Sequence, residues 1–355
     1  MADVSEGREQ TGLPRSGGSI SIGKGGYVKT LVTGASGFIG SHVLKRLLER
    51  GRDVRVLQEP GFRRDHIAGL DCEIIEGDIR DPEVMRRACA GVDRIFHLAA
   101  MYQTWLPDRR LIYEINVEGT KRLLEAAEAV GVERIVYTST IATLGKPEDG
   151  SLANEETPFN LWRVGNDYVF SKYQAEVEAL EGVKRGLPIV IVNPAFPFGE
   201  GDIRPTPTGR ILQMLLKGEI PYYYDGGINV VDVEDVAEGH LLAEEKGEIG
   251  EKYILGNENI EIVDFLRMAA QIAGVSPPKW KMPRSVAIAL GHLSEFLADH
   301  LTHRHPYGTA AEIKLTSQRM YFDCTKARTQ LGLPQTPIRQ TLEKAIRWFR
   351  EHGYT

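Results

Sequence analysis

Tyr168 and Lys172 stand four residues apart in "NDYVFSKYQAE", a stretch patterned as a helix. Residues at that spacing share one helix face. A lysine there answers a chemical need of the tyrosine. A free phenol has a pKa of ~10, and using it as a base near neutral pH means lowering that by about three units, or ~4 kcal/mol. A cation ~4 Å away, at an effective dielectric of ~20, supplies about that much. So placed, the tyrosine can take the proton of an alcohol that is losing hydride. The plain alternative is two side chains on a helix surface. A lone Tyr-x-x-x-Lys in a chain with 13 tyrosines is a weak motif, so its weight depends on what else the chain supplies.

The strongest companion is "LVTGASGFIGSHVLKRLL", which places Gly34, Gly37 and Gly40 between an apolar strand and an amphipathic helix. Gly34 permits the tight turn, Gly37 lets backbone approach a pyrophosphate, and Gly40 lets the helix pack close to the sheet. The helix opens at Phe38 and Ile39, where free N–H groups and the helix dipole favour phosphate. A Gly-rich turn with no ligand is the bland reading. The strand before, the helix after and the continuing strand–helix pattern argue against it. Asp78 in "EGDIRD" follows the third strand, where a carboxylate can accept from an adenine amino group. Asp81 reads instead as the cap of the helix begun at Pro82. A dinucleotide so bound gives Tyr168 its task.

These residues need a scaffold, and the pattern describes one. From Tyr27 onward short apolar runs alternate with amphipathic ones: "YVKTLVTG", "DVRVLQ", "CEIIEGD", "DRIFHLAA", "ERIVYTS" and "LPIVIVNP" as strands, with helices between them. Strands that are almost continuously apolar, alternating with helices, imply a parallel sheet covered on both faces. The expected fold is α/β, a Rossmann-like doubly wound parallel sheet with a smaller, mixed α/β C-terminal substrate domain. Residues 27–192 and about 226–250 are assigned to the dinucleotide-binding domain. Residues about 193–225 and 251–355 are assigned to the substrate domain, and the Gly/Ser-rich residues 1–26 to a flexible tail.

Composition sets the outer bounds. Of 355 residues, 42% are hydrophobic and 26% charged, ordinary for a globular chain. A net charge of −6 without a basic stripe argues against nucleic acid. The three cysteines, Cys72, Cys89 and Cys324, fit a reduced, cytoplasmic protein better than a disulfide scaffold. No apolar run approaches the ~20 residues of a membrane span. "HLTHRHPYG" lacks cysteine or acidic partners at ligand spacing and reads as a solvated loop, so no metal is expected.

The ordered set "TGASGFIG", "GDIRD", "HLAA", "NVEGT", "YTSTIATLG" and Tyr168-x-x-x-Lys172 resembles the extended short-chain dehydrogenase/reductase family, over essentially the whole chain after the tail. Within it the chain looks most like the group of hopanoid-associated sugar epimerases, dihydroflavonol reductases and 3β-hydroxysteroid dehydrogenases. The resemblance implies Tyr168 as acid/base, Lys172 as its cation and ribose ligand, Thr140 as hydrogen-bond donor to the substrate oxygen, and Asn116 as the active-site asparagine. It also implies cofactor contacts from Ile79, Leu98, Ala99, Ala100 and Pro194. Gln58 sits where NAD-binding relatives often carry Asp, and Glu59 where NADP-binding relatives often carry Arg. Glu59 would repel a 2′-phosphate and accept from a ribose hydroxyl, so NAD is the expected cofactor. Arg63 and Arg64 lie near enough to make NADP the alternative.

Departures from the family pattern point to the substrate. Phe196 and Phe198 of "NPAFPFG", Val169 and Phe170 beside the catalytic pair, and Met101, Tyr102 and Trp105 after "HLAA" are more apolar than the family's usual residues. An aromatic and Met-rich pocket suits a large apolar ligand, with Arg204 and Arg210 the nearest cations for a diphosphate. Packing of the interdomain core is the bland reading of the same residues. The favoured expectation is oxidation or reduction of a secondary alcohol or ketone on a sterol- or triterpenoid-like lipid, with decarboxylation where a carboxylate neighbours it. A nucleotide-sugar epimerase or dehydratase that retains its NAD is the alternative, and a non-catalytic cofactor sensor a third. A homodimer is compatible with either enzyme.

Overall fold

The computed structural model describes residues 28–61, 64–103, 105–106, 108–302, 306 and 308–355. The expected 1–26 tail, Tyr27, Arg63 and part of the histidine-rich loop lie outside the described residues. The first half runs β1 (Lys29–Thr33), α1 (Phe38–Glu49), β2 (Asp53–Gln58), β3 (Glu73–Glu76), α2 (Pro82–Cys89) and β4 (Arg94–His97). A helical run follows: α3 (Arg110–Tyr113), a π-helical stretch Glu114–Glu118 and α4 (Gly119–Val130). Then come β5 (Arg134–Thr138), α5 (Asp167–Lys184) and β6 (Ile189–Pro194). The remainder is β7 (Phe196–Phe198), α6 (Pro207–Leu216), β8 (Tyr222–Tyr223), β9 (Gly227–Asp232), α7 (Val233–Lys246), β10 (Lys252–Leu255), β11 (Glu258–Glu261), α8 (Ile262–Ala273), β12 (Trp280–Lys281), α9 (Arg284–Leu297), α10 (Ala310–Thr316) and α11 (Ile338–Glu351).

Seven strands form one sheet in the order β10-β6-β5-β4-β1-β2-β3, every pairing parallel. Alternate side chains leave opposite faces of a strand. Here both faces are dry, because Val32, Phe96, Val136, Val190 and Val192 feed one core while Leu31, Ile95, Ile135, Ile189 and Ile191 feed the other. That is why these strands carry apolar residues continuously. Strand order reverses between β1 and β4, the place where such sheets bind ligands at the strands' carboxyl ends.

The second region is built on β11-β9-β7, the short β12-β8 pair and helices α6 and α8–α11, around a third core containing Phe198, Phe265 and Phe349. Two segments differ from the expected division. β9, inside the segment 226–250, belongs to the small sheet, whereas β10, beyond it, is the edge strand of the large one. α7 returns to cover the large sheet, packing on α1. No periodicity argument separates these, because β9 and β10 are both short, largely buried runs.

Candidate active site

The glycine loop has the geometry its sequence implies. Gly34 adopts φ +74, and a Cβ there would lie 2.6 Å from the Ala99 nitrogen. A Cβ on Gly40 would lie 2.1 Å from the Gly34 carbonyl oxygen. α1 begins after Gly37 with no side-chain cap and no acidic residue in its first turn, so the N–H groups at Phe38, Ile39 and Gly40 open the helix. These residues fit a dinucleotide pyrophosphate, which the backbone of Gly37–Gly40 would hold. Leu98, Ala99 and Ala100 run past this loop. The Leu98 N–H donates to the Thr33 carbonyl at 3.1 Å and the Ala99 N–H to the Thr33 hydroxyl at 3.2 Å.

The adenosine side is more crowded than expected. Asp81 caps α2, accepting from Glu83 N at 2.8 Å. Asp78 is gripped by the Arg80 guanidinium at 3.0 and 2.6 Å, which holds its carboxyl below the usual range. Arg80 in turn reaches Glu114 at 2.7 Å. Ile79 is buried beside Gly119. At the end of β2, Gln58 is buried and Glu59 exposed. Arg64 pairs with Glu76 at the end of β3, so its charge is answered within the protein.

α5 starts at its cap Asn166, whose side chain accepts from Val169 N at 3.0 Å, and this fixes where Tyr168 enters the site. The Thr140 side chain stands beside the Tyr168 phenol. Thr140 itself caps a short 3-10 turn, Ile141–Thr143, accepting from Ala142 N at 3.3 Å. Lys172 is buried, and its ammonium donates to the Thr138 carbonyl at 2.7 Å and the Tyr137 hydroxyl at 3.4 Å. The i,i+4 spacing puts Lys172 one turn from Tyr168, yet the phenol stands above its ordinary pKa. Burial raises it, and the Thr140 hydrogen bond offsets only part of that. The same burial lowers Lys172 to about 8, opposed by the Glu176 charge. Desolvation disfavours both charged forms and outweighs their neighbours.

Asn116 lies in the π-helical stretch, a distortion frequent at functional sites. Its amide accepts from Met101 N at 2.7 Å, donates to the Met101 carbonyl at 2.9 Å and donates to the Ser171 hydroxyl at 2.9 Å. It therefore ties the Met101 loop to α5 next to Lys172. In that loop Tyr102 is half exposed and Trp105 donates to Asp299 at 2.6 Å. Burial raises the Tyr102 hydroxyl above its ordinary pKa, with Asp202 adding to that and the Arg204 and Arg210 charges offsetting part of it.

One aromatic residue expected at the pocket is elsewhere. Phe198 is 2% exposed and packs on Phe265 at 4.8 Å, in the core of the second region. Pairing of β7 with β9 pulls it there. Phe170 stacks on Trp162 at 5.9 Å, in a cluster with Phe159 and Tyr173. Phe196 remains half-buried between the first and third cores, and Pro194 is buried at the end of β6.

The residue that sequence reasoning missed is Glu176. It is 2% exposed and accepts from Ser139, from Thr143 at 2.7 Å, from Asn193 at 3.0 Å and from Lys252. Asn193 and Thr143 also donate to the Thr140 carbonyl, at 3.0 and 2.8 Å. Glu176 thus clamps the Thr140 turn to α5, β6 and β10. Its only signal was its place one turn beyond Lys172. Among the described residues no group of His, Cys, Asp or Glu could hold a metal, and the three cysteines are free.

A parallel sheet that changes direction at a glycine cradle, with a Thr140–Tyr168–Lys172 cluster beside it, defines a dinucleotide-dependent oxidoreductase. The profile of the NAD dependent epimerase/dehydratase family matches residues 30–256, and the chain belongs to that family. A Synechocystis sp. protein provisionally named dihydroflavonol 4-reductase is 39% identical over 91% of this chain and 95% of its own. Sterol demethylase protein B of Methylococcus capsulatus is 32% identical over 91% of this chain and 99% of its own. The solved structure of gox2253 superposes with a TM-score of 0.82 at 44% identity, covering 92% of this chain and 99% of that one.

Proposed function

We propose that this NAD-dependent enzyme oxidises or reduces a secondary alcohol or ketone on a sterol- or triterpenoid-like lipid, in the cytoplasmic compartment that its free cysteines suit. The observation that carries the reading is the loop bearing Met101, Tyr102 and Trp105. Asn116 ties it to the catalytic helix, so it offers apolar and aromatic surface at the mouth of the site. The relative named for sterol demethylation supports it. Bound NAD supplies the hydride acceptor. Tyr168 takes the hydroxyl proton, Thr140 orients the substrate oxygen, and Lys172 holds a ribose and stabilises the phenolate. A carboxylate next to the new ketone would then leave as carbon dioxide. Glu59, with Arg64 answered by Glu76, favours NAD over NADP. Tighter binding of NADP in a titration would contradict that choice.

A second reading, a nucleotide-sugar epimerase with retained NAD, has one specific observation behind it: the Arg204 and Arg210 charges act on the Tyr102 hydroxyl, where they would serve a diphosphate. The discriminating experiment follows reduced-nicotinamide absorbance with 3β-hydroxysteroids and with UDP-sugars. Steroid-dependent absorbance is expected. Saturable UDP-sugar binding with no net absorbance change, and no steroid binding, would replace the first reading with the second.

A further inference from the structure

We propose that the outward face of α9 docks on the surface of a lipid bilayer beside the substrate cleft, an inference that rests on the lipid-alcohol reading above. Val286, Leu290, Leu293, Leu297 and Leu301 recur at spacings of four, three, four and four, with Phe296 alongside. They run from 37% exposed at Leu297 to 69% at Leu301. Together they are six of the sixteen large apolar side chains exposed among the described residues, gathered on α9 and the turn Ala298–Thr302 that continues it. A helix on a water-facing surface normally turns such a stripe inward. Here the body of the protein meets a different side of the helix. Ala287, Gly291 and Ala298 are buried, and a Cβ on Gly291 would lie 2.8 Å from Ala310 N in α10. Small residues make the close packing and large ones face out.

What lies around the stripe selects the occupant. Trp280, 66% exposed, precedes the helix, with Lys279, Lys281 and Arg284 beside it, all exposed. An amphipathic indole next to cations suits the headgroup level of a bilayer. This cationic end belongs to a chain whose net charge is −6. Lys281 meets Asp225 at 2.8 Å, an exposed pair that a headgroup phosphate can replace. The 14 residues of α9 fall short of the ~20 needed to span, so the helix would lie in the interface. Its far flank carries Asp299, which accepts from Trp105 at 2.6 Å. The element that would rest on the bilayer therefore also holds the loop at the cleft mouth. A poorly soluble lipid could pass from bilayer to site without crossing bulk water.

The test floats the full-length, NAD-loaded chain with phosphatidylethanolamine/phosphatidylglycerol vesicles, with no substrate added. The chain should rise with the vesicles. A Leu293→Asp/Phe296→Asp variant should lose at least about tenfold in binding while keeping its thermal transition, both side chains being exposed. A wild-type chain that stays at the bottom, or a variant that floats equally well, overturns the proposal. A dimer seen in sedimentation velocity that the variant splits, without flotation, gives the face to a second copy and also overturns it. Turnover of a water-soluble steroid alcohol keeps the two readings apart. Lost flotation with turnover intact sinks only the docking surface, and flotation without sterol turnover sinks only the substrate reading.

Discussion

Tyr168 is the residue on which the chemistry turns. Tyr168→Phe removes one hydroxyl from a site that keeps its glycine cradle, so cofactor binding and the thermal transition should persist while turnover falls by ~10²–10⁴-fold. A variant retaining more than about a tenth of the wild-type rate would remove Tyr168 from its role. Lys172 sets the pH dependence. Its folded pKa of about 8 lies below the ordinary lysine value, so the cation is present below that pH and lost as pH rises through it. A rate that needs the ammonium should fall above about pH 8. The Glu176 charge raises that pKa, so Glu176→Gln should move the falling limb to lower pH in a kcat/KM profile. Glu176→Ala should cost about 3–5 kcal/mol in denaturant unfolding, because Lys252 and three buried donors lose their acceptor.

At the scale of elements, the β1–α1 turn is the least forgiving part of the site. A Cβ at Gly40 would sit 2.1 Å from the Gly34 oxygen, so α1 must retreat from the sheet to admit it. Gly40→Ala should destabilise the fold by about 1–3 kcal/mol and weaken NAD in a calorimetric titration. Unchanged NAD affinity would mean that the helix end does not hold the pyrophosphate. α5 is the second decisive element, bearing Tyr168, Lys172 and Glu176 at successive turns. β7 shows how pairing overrides pattern: its register against β9 carries Phe198 into the core of the second region.

Across the whole molecule, two buried histidines tie stability to pH. His97 lies between the hydroxyls of Thr33 at 2.7 Å and Thr120 at 3.1 Å, and burial lowers its pKa to about 3. His240 lies between Thr138 at 2.9 Å and the Val236 carbonyl at 2.8 Å, and burial lowers it to about 4. Both are neutral when folded and bind a proton on unfolding below about pH 6.5. The unfolded state then holds more protons, so stability is full above that pH and is lost as pH falls toward 3–4. The thermal midpoint should therefore drop steadily from about pH 6.5 downward. His240→Gln should flatten part of that slope.

The phosphate loop, the parallel sheet and the Thr140–Tyr168–Lys172 cluster were legible in the linear chain because each rests on local rules. Glycine is needed wherever a Cβ would strike backbone, continuous apolar runs belong to strands dry on both faces, and helical spacing puts residues one turn apart on a common face. What neighbours do to those groups was not legible, because it depends on partners distant in the chain. Burial raises the Tyr168 phenol, and Thr140, brought beside it from another segment, offsets part of that. Glu176 became the clamp of the site through Lys252 and Asn193, which meet it only when β6 and β10 pair. Phe198 left the expected pocket because strand register is set by long-range pairing. α9 shows the limit most plainly. The close packing of Gly291 against Ala310 leaves Leu290, Leu293 and Phe296 exposed, an outcome fixed by a partner distant in the chain.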